Sequence, residues 1–189
     1  MSFHFFFFFC GVVMSLYSLD LMILYFFNHL IHTPLLDSIM ICISYGGLLY
    51  FGLFVALLLY LFGGLKGKRV SKILVCSLLV SFFVIEIIKL GVMRPRPYDV
   101  LSSLVVIGHE WDYSFPSGHT VNMTVLSYIL GKSYGHLDLF LICPLIIGIT
   151  RLYLGMHYPS DVLGAYIIGL ILAFICFNIF SRRFNINNI

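Results

Sequence analysis

Long apolar runs alternate with short polar segments along almost the whole chain. An α-helix that crosses the hydrocarbon core of a bilayer needs about 20 mostly apolar residues. Six runs approach that length, at residues 5–27, 46–63, 72–92, 118–132, 139–156 and 161–180. Residues 35–45 predict a shorter helix leading into the second run, with a break at Gly46 and Gly47. The pattern predicts an all-α, polytopic membrane bundle of about six transmembrane helices.

No internal repeat, heptad pattern or polar linker divides these runs, so the pattern predicts a single domain over residues 1–189. Residues 1–34 would form an N-terminal helix region. The start lacks the basic residues and the clear cleavage site of a secretory signal, so we expect a retained helix. Met14 is a second plausible start, and the sequence does not decide whether residues 1–13 belong to the native protein.

Composition agrees with lipid as the solvent. Hydrophobic residues make up 61% of the chain and charged residues 10%, whereas a soluble domain is about a quarter charged. The net charge of +3 is small and its carriers are scattered, which argues against a nucleic-acid partner. The cysteines lie in apolar runs without CxxC spacing and are expected to be packing residues: Cys10, Cys42, Cys76, Cys143 and Cys176.

Basic residues mark one side of the predicted bundle. They follow the second, fourth and sixth runs, at Lys66, Lys68, Arg69, Lys72, Lys132, Arg182 and Arg183. Because Lys and Arg are enriched in cytoplasmic loops, we expect these ends to face the cytoplasm in a multi-pass protein of the plasma membrane. The extracytoplasmic side then holds residues 28–45, 93–117 and 156–160.

Ionisable residues collect near that extracytoplasmic side, where Lys89, Arg96 and Arg151 lie at or beyond the ends of apolar runs. Such groups are costly at membrane depth unless they are paired or face a functional cavity, and the guanidinium fork suits phosphate oxygens. Ser117 and Gly118 open the fourth run, where free N–H groups of a helix start favour an anion. Glycine also lets a ligand approach the backbone. Together these residues predict a phosphate-binding site.

Two histidines would add chemistry to this site. Pro159 is well tolerated at the first position of the sixth helix, so Asp161 falls in the first turn and can reach back toward His157. A carboxylate on one ring nitrogen fixes the tautomer and leaves the other nitrogen free to attack phosphorus. His119, at the opposite wall, would protonate the leaving oxygen as general acid. We expect no cofactor.

Three ordered motifs resemble the signature of the type 2 phosphatidic acid phosphatase superfamily. The motifs are K-x6-R-P at Lys89, Arg96 and Pro97, P-S-G-H at residues 116–119, and R-x5-H-x3-D at Arg151, His157 and Asp161. The third motif usually has serine before its arginine, and Thr150 here retains the hydroxyl group.

This resemblance implies a metal-independent membrane phosphatase that works through a phosphohistidine, with its catalytic motifs inside residues 89–161. His157 would be the nucleophile, Asp161 its partner and His119 the general acid. The implied phosphate ligands are Lys89, Arg96, Ser117, Gly118 and Arg151.

Other residues near the motifs are open to more than one interpretation. Glu86 lies one turn before Lys89, where it would neutralise the lysine or orient it toward substrate. Arg94 would be an interfacial anchor, a headgroup contact or a ligand in the core of the site. Trp111 would belong to the interfacial aromatic belt or contact the substrate headgroup from the loop that contains it.

Three other functions fit parts of the pattern. A metal hydrolase would use His119, His157 and Asp161 as ligands, although the neighbouring cations would repel a divalent ion. A vanadate-dependent haloperoxidase would have a similar anion pocket, but those proteins are soluble. A transporter or scaffold would line an ion path with the same charges.

The apolar surroundings of the site favour a lipid leaving group, with membrane lipids as the remaining partners. The layout and the HYPSD form of the third motif are similar to small bacterial or archaeal phosphatases of polyprenyl diphosphates. Undecaprenyl diphosphate is therefore the leading substrate. Phosphatidylglycerophosphate, phosphatidic acid and lipid A remain alternatives, and nothing in the sequence indicates the oligomeric state.

Overall fold

A computed structural model describes residues 15–184. The beginning of the first predicted span, Cys10 and the undecided residues 1–13 lie outside the described residues. Between residues 15 and 184 the chain forms helices and no strand. The helices are α1 Ser15–Leu30, α2 Pro34–Ser44, α3 Leu49–Phe62, α4 Gly64–Val92, α5 Pro97–Val100, α6 Gly118–Tyr134, α7 Leu137–Phe140, α8 Cys143–Tyr153 and α9 Pro159–Arg183.

The helices next to the predicted site begin where the sequence predicts them to begin. Ser117 has extended backbone angles and precedes the first residue of α6. Pro159 is the first residue of α9, where its fixed φ and missing N–H cost nothing. The Asp161 carboxylate accepts a hydrogen bond from the Tyr158 N–H at 2.9 Å, which satisfies a backbone donor at the helix start. The Ser117 N–H donates to the Asp161 carbonyl at 3.4 Å, so both helix starts lie at the same end of the bundle.

Helix α6 is the centre of the bundle and packs against α3, α4, α7, α8 and α9. Its Val121, Val125 and Ile129 are fully buried in the main hydrophobic core. Small residues let neighbouring helices approach closely, as in many membrane helix pairs. A Cβ added at Gly169 of α9 would lie 2.7 Å from the Thr124 Cβ of α6. The contact between α6 and α9 therefore requires glycine at this position.

The membrane-crossing helices differ in length. Gly64–Val100 and Pro159–Arg183 are each long and apolar enough to cross a bilayer. A third crossing is reached if Ser15–Leu30 and Pro34–Gly47, which meet at an angle of 119°, form one broken span. The all-α prediction is confirmed for the described residues, whereas about six crossings exceed what helix length and composition establish.

Two boundaries differ from the prediction. Helix α4 begins at Gly64 rather than near residue 72, so the basic residues expected in a loop lie in its first turns. Lysine stems can run along an apolar surface while the charge stays outside, and the Lys68 ammonium lies 5.6 Å from the Tyr60 ring centroid. The fifth predicted span is divided between α7 and α8, and Pro144 lies at the start of α8.

Replacing Gly169 with alanine tests the packing of α6 against α9. We expect Gly169→Ala to destabilise the protein by about 1–3 kcal/mol because the new methyl group must displace Thr124. Gly91→Ala is the matched control, because a Cβ at Gly91 has nothing within 4 Å. Thermal unfolding in detergent measures both, and equal melting temperatures for the two variants would contradict this packing.

Candidate active site

The predicted site residues come together at one end of the bundle. Lys89 lies in the last turn of α4, Arg151 in the last turn of α8, and Arg96 directly before α5. His119 lies in the first turn of α6. His157 stands in the short connection between α8 and α9. Three segments far apart in sequence therefore supply one cluster.

His157 is buried and held from both sides. Its Nδ1 lies 3.7 Å from Asp161 Oδ2 and 3.5 Å from Ser114 Oγ, and Ser114 donates a 2.5 Å hydrogen bond to the same carboxylate oxygen. Its Nε2 faces Arg96 Nη1 at 3.3 Å. Burial lowers the pKa of His157 to about 4 in spite of the nearby Asp161. The imidazole is therefore neutral at neutral pH, as a nucleophile requires.

Arg94, whose role the sequence left open, also contacts Asp161. Arg94 Nη1 donates to Asp161 Oδ1 at 2.5 Å, and Arg94 Nη2 donates to Asp20 Oδ2 of α1 at 3.0 Å. The Arg94 guanidinium also lies 4.0 Å from the Tyr158 ring centroid. Among the three interpretations offered for Arg94, these contacts favour a place in the core of the site. Ser114 and Asp20 were missed, because neither belongs to a motif.

Two carboxylates of the loop before α6 contact the cations. Asp112 accepts hydrogen bonds from Lys89 Nζ and Arg96 Nη2. Glu110 lies 2.6 Å from Arg96 Nη2 and 2.5 Å from Arg151 Nη2. Sequence reasoning missed both residues. The available signal was the pair of acids in EWD, a few residues before PSGH.

The expected pair between Glu86 and Lys89 needs a correction. Lys89 forms its ion pair with Asp112, and no ion pair within 4 Å joins it to Glu86 in the described residues. One helical turn allows such a pair but does not require it. The loop carboxylate reaches the buried end of Lys89, while Glu86 is only partly buried.

The start of α6 faces the same cluster. A Cβ added at Gly118 would lie 3.9 Å from Lys89 Nζ, so the first residue of the helix borders the lysine. His119 Nδ1 is 3.9 Å from Glu110 Oε1. Ser117 is buried, and its hydroxyl accepts a 3.1 Å hydrogen bond from Thr120 Oγ1 rather than capping the helix. A Cβ at Gly47 would lie 2.6 Å from His119 Cβ, so glycine here lets the 3-10 turn Tyr45–Gly47 after α2 approach this histidine closely.

The charges around Glu110 dominate its ionisation. Burial by itself would raise the pKa of Glu110, but the positive charges of Arg151 and Arg96 outweigh burial and lower the pKa to about 2. Burial likewise opposes ionisation of Asp112, and Lys89 and Arg96 lower its pKa. Both carboxylates are ionised at neutral pH.

The chain is similar to known proteins. The family model of the PAP2 superfamily matches residues 71–185. The chain belongs to the PAP2 superfamily. This confirms the resemblance found in the three motifs, and the matched range contains all eight predicted site residues.

Relatives within the PAP2 superfamily include enzymes with different named substrates. The undecaprenyl-diphosphatase BcrC of Bacillus subtilis is 29% identical over 149 residues, which is 77% of this chain and 76% of the relative. The transmembrane PAP2-type phosphatidylglycerolphosphate phosphatase of Bacillus subtilis has a TM-score of 0.69 at 24% identity, covering 89% of this chain and 87% of its own. LpxE of Aquifex aeolicus has a TM-score of 0.71 at 25% identity, covering 85% and 95%.

Acid titration tests the environment of Glu110. Its pKa is about 2, below its ordinary value of 4.5. The ionised side chain therefore contributes stability above pH 4.5, and that contribution is lost as the pH falls toward 2. We expect the melting temperature of the wild type to fall more steeply between these pH values than that of Glu110→Gln. Parallel curves would contradict the ion pairs described for Glu110.

Proposed function

We propose that this PAP2 protein is a lipid phosphatase that hydrolyses a lipid phosphate or diphosphate through a phosphohistidine. The observation that carries the proposal is the position of His157, with Nδ1 toward Asp161 and Ser114 and Nε2 toward Arg96. A neutral ring nitrogen thus faces a group that binds phosphate oxygens. Membership in the PAP2 superfamily and relatives named as phosphatases support the same chemistry.

In the proposed first step, the lone pair of His157 Nε2 forms a bond to phosphorus. The bond between phosphorus and the leaving lipid oxygen breaks, and His119 donates its proton to that oxygen. Lys89, Arg96 and Arg151 stabilise the equatorial oxygens of the transferring phosphoryl group.

In the second step, water attacks the phosphohistidine. His119, now unprotonated, accepts a proton from the water, and the bond between phosphorus and His157 breaks to release inorganic phosphate. Asp161 holds the imidazole in one tautomer throughout. The N–H groups of Ser117 and Gly118 would supply further ligands at the start of α6. Each step uses side chains of the cluster, and the proposal includes no metal.

We propose a polyprenyl diphosphate of the undecaprenyl type as substrate, with the monophosphate and inorganic phosphate as products. The similarity to BcrC over about three quarters of both chains supports this choice. Phosphatidylglycerophosphate is the second candidate because one fold neighbour is named for it, and phosphatidic acid is the third.

The membrane arrangement completes the proposal. A single domain would cross the plasma membrane about six times, with the cluster on the extracytoplasmic side. Basic residues support this orientation, because Lys66, Lys132 and Arg182 lie at helix ends opposite to the cluster. The bent pair α1 and α2 and the shorter helices α3, α6 and α8 would supply the crossings beyond the two long helices.

Release of inorganic phosphate tests the enzyme and identifies its substrate. Purified full-length protein in detergent is given undecaprenyl diphosphate, phosphatidylglycerophosphate and phosphatidic acid in parallel, with and without a chelator. We expect the diphosphate to react fastest, the chelator to have no effect, and His157→Ala to lower kcat by about a thousandfold or more, since the covalent step is lost.

His136→Ala is the matched control, because His136 is exposed and lies between α6 and α7. Absence of phosphate release from these three lipids and from lipid A would exclude the enzyme and favour a carrier. Loss of activity with the chelator would instead support a metal hydrolase.

A further inference from the structure

The acidic loop, residues 109–113, occupies donors that a phosphoryl group would need. All three guanidinium nitrogens of Arg96 contact the acidic loop or the Met156 carbonyl. Nε donates to the Asp112 carbonyl at 2.8 Å, Nη1 donates to the Met156 carbonyl at 3.1 Å, and Nη2 contacts the Glu110 and Asp112 carboxylates. Lys89 and Arg151 each contribute a further donor to one of these carboxylates. A phosphate oxygen can reach the same N–H groups only if the carboxylates move away.

Electrostatic repulsion also opposes binding of the acidic loop and a phosphate group to the cations at the same time. The side chains of Lys89, Arg96 and Arg151 are at most 6% exposed, so charges among them interact more strongly than in water. A phosphate or diphosphate placed beside two ionised carboxylates would meet like charge at short distance. The acidic loop and the substrate therefore compete for one set of cations.

Several features of the acidic loop would allow it to move away from the cations. It lies within residues 101–117, where the backbone forms no helix or strand. Gly108 at its start has φ +93° and no atom within 4 Å of an added Cβ, so the backbone can turn there without a clash. Trp111 at its tip is fully exposed. Its other polar contacts among the described residues include His119 Nδ1, 3.9 Å from Glu110 Oε1, and Tyr98, which exchanges hydrogen bonds with the Glu110 backbone at 2.9 and 3.2 Å.

We propose that Glu110 and Asp112 act as an intramolecular anion that sets how tightly the site binds a phosphate group. They would compete with phosphate for Lys89, Arg96 and Arg151. This inference rests on the proposed function, because it takes these cations as the phosphoryl-binding groups. Every phosphate ligand must displace the acidic loop. The apparent Kd of the ligand is therefore the intrinsic Kd divided by the fraction of molecules in which the loop is displaced.

The competition lowers the affinities of lipid phosphate and inorganic phosphate by the same factor, but only the lipid has a second source of binding energy. A lipid phosphate gains binding energy from its apolar tail, which offsets the cost of displacing the loop. Inorganic phosphate has no such tail. After hydrolysis the carboxylates return to the cations and displace the product. The acidic loop thus keeps inorganic phosphate weakly bound and limits product inhibition.

Binding of inorganic phosphate to the full-length protein in detergent, measured by calorimetry in the presence of a chelator, tests this proposal. We expect the double variant Glu110→Gln with Asp112→Asn to bind phosphate about tenfold or more tightly than the wild type, and each single variant to lie between them. The KM for the lipid substrate should fall in the same order. Asp138→Asn is the charge-matched control, since Asp138 is exposed on α7, and its phosphate affinity should equal that of the wild type.

Unchanged or weaker phosphate binding in the double variant would overturn the proposal, since the carboxylates would then be holding the cations in place. Asp112→Asn alone keeps the test valid if the double variant does not fold, because the Asp112 side chain is 41% exposed. Hydrogen–deuterium exchange gives an independent result. Saturating phosphate should speed exchange at residues 109–113 of the wild type, and unchanged exchange there would also overturn the proposal.

Hydrolysis of lipid phosphates distinguishes failure of the acidic loop proposal from failure of the proposed function. If the wild type releases phosphate from lipids while the variants bind inorganic phosphate no more tightly, the acidic loop proposal fails and the enzyme stands. If the wild type and the double variant both release no phosphate from any lipid, the proposed function fails.

Discussion

Buried positive charge must be compensated, and this requirement organises one end of the bundle. Lys89, Arg96 and Arg151 come from three different segments, and their side chains are almost fully buried. An uncompensated cation at such depth costs several kcal/mol. Glu110 and Asp112 supply the compensation and thereby hold an irregular loop against the starts and ends of the helices. The three cations outnumber the two carboxylates, and this excess of positive charge makes the site suitable for a phosphoryl group.

Sequence reasoning succeeded where structure is determined locally. The start of α6 at Gly118 follows from the extended angles of Ser117, and the start of α9 follows from Pro159 and the Asp161 side chain; both depend on a few neighbouring residues. The spacing of His157 and Asp161 places a carboxylate beside an imidazole for the same reason. The ordered motifs then identified the other members of the cluster.

The missed residues depend on contacts that spacing cannot predict. Glu110 meets Arg151 across 41 positions, and Asp20 meets Arg94 across 74. The loop carrying Glu110 has no periodic pattern from which the direction of a side chain could be deduced. Hydropathy has a related limit. An apolar run indicates a helix that faces lipid, and it does not identify a helix that is packed among other helices. Helix α6 is buried among other helices and carries Thr120, Thr124 and Ser127 inside the bundle, so its importance to the fold is not visible as an apolar run of full membrane length.

The RPRP stretch shows how a short extended segment can contact both members of the His157–Asp161 pair. In extended backbone, residues two apart face the same side, and a residue before proline is biased to extended angles. Arg94 and Arg96 both precede proline, and both reach the His157–Asp161 pair. Arg94 binds the carboxylate and Arg96 faces the imidazole Nε2. Since Arg94 also binds Asp20 of α1, the orientation of the His157–Asp161 pair depends on the N-terminal helix, although the family motifs begin far beyond it.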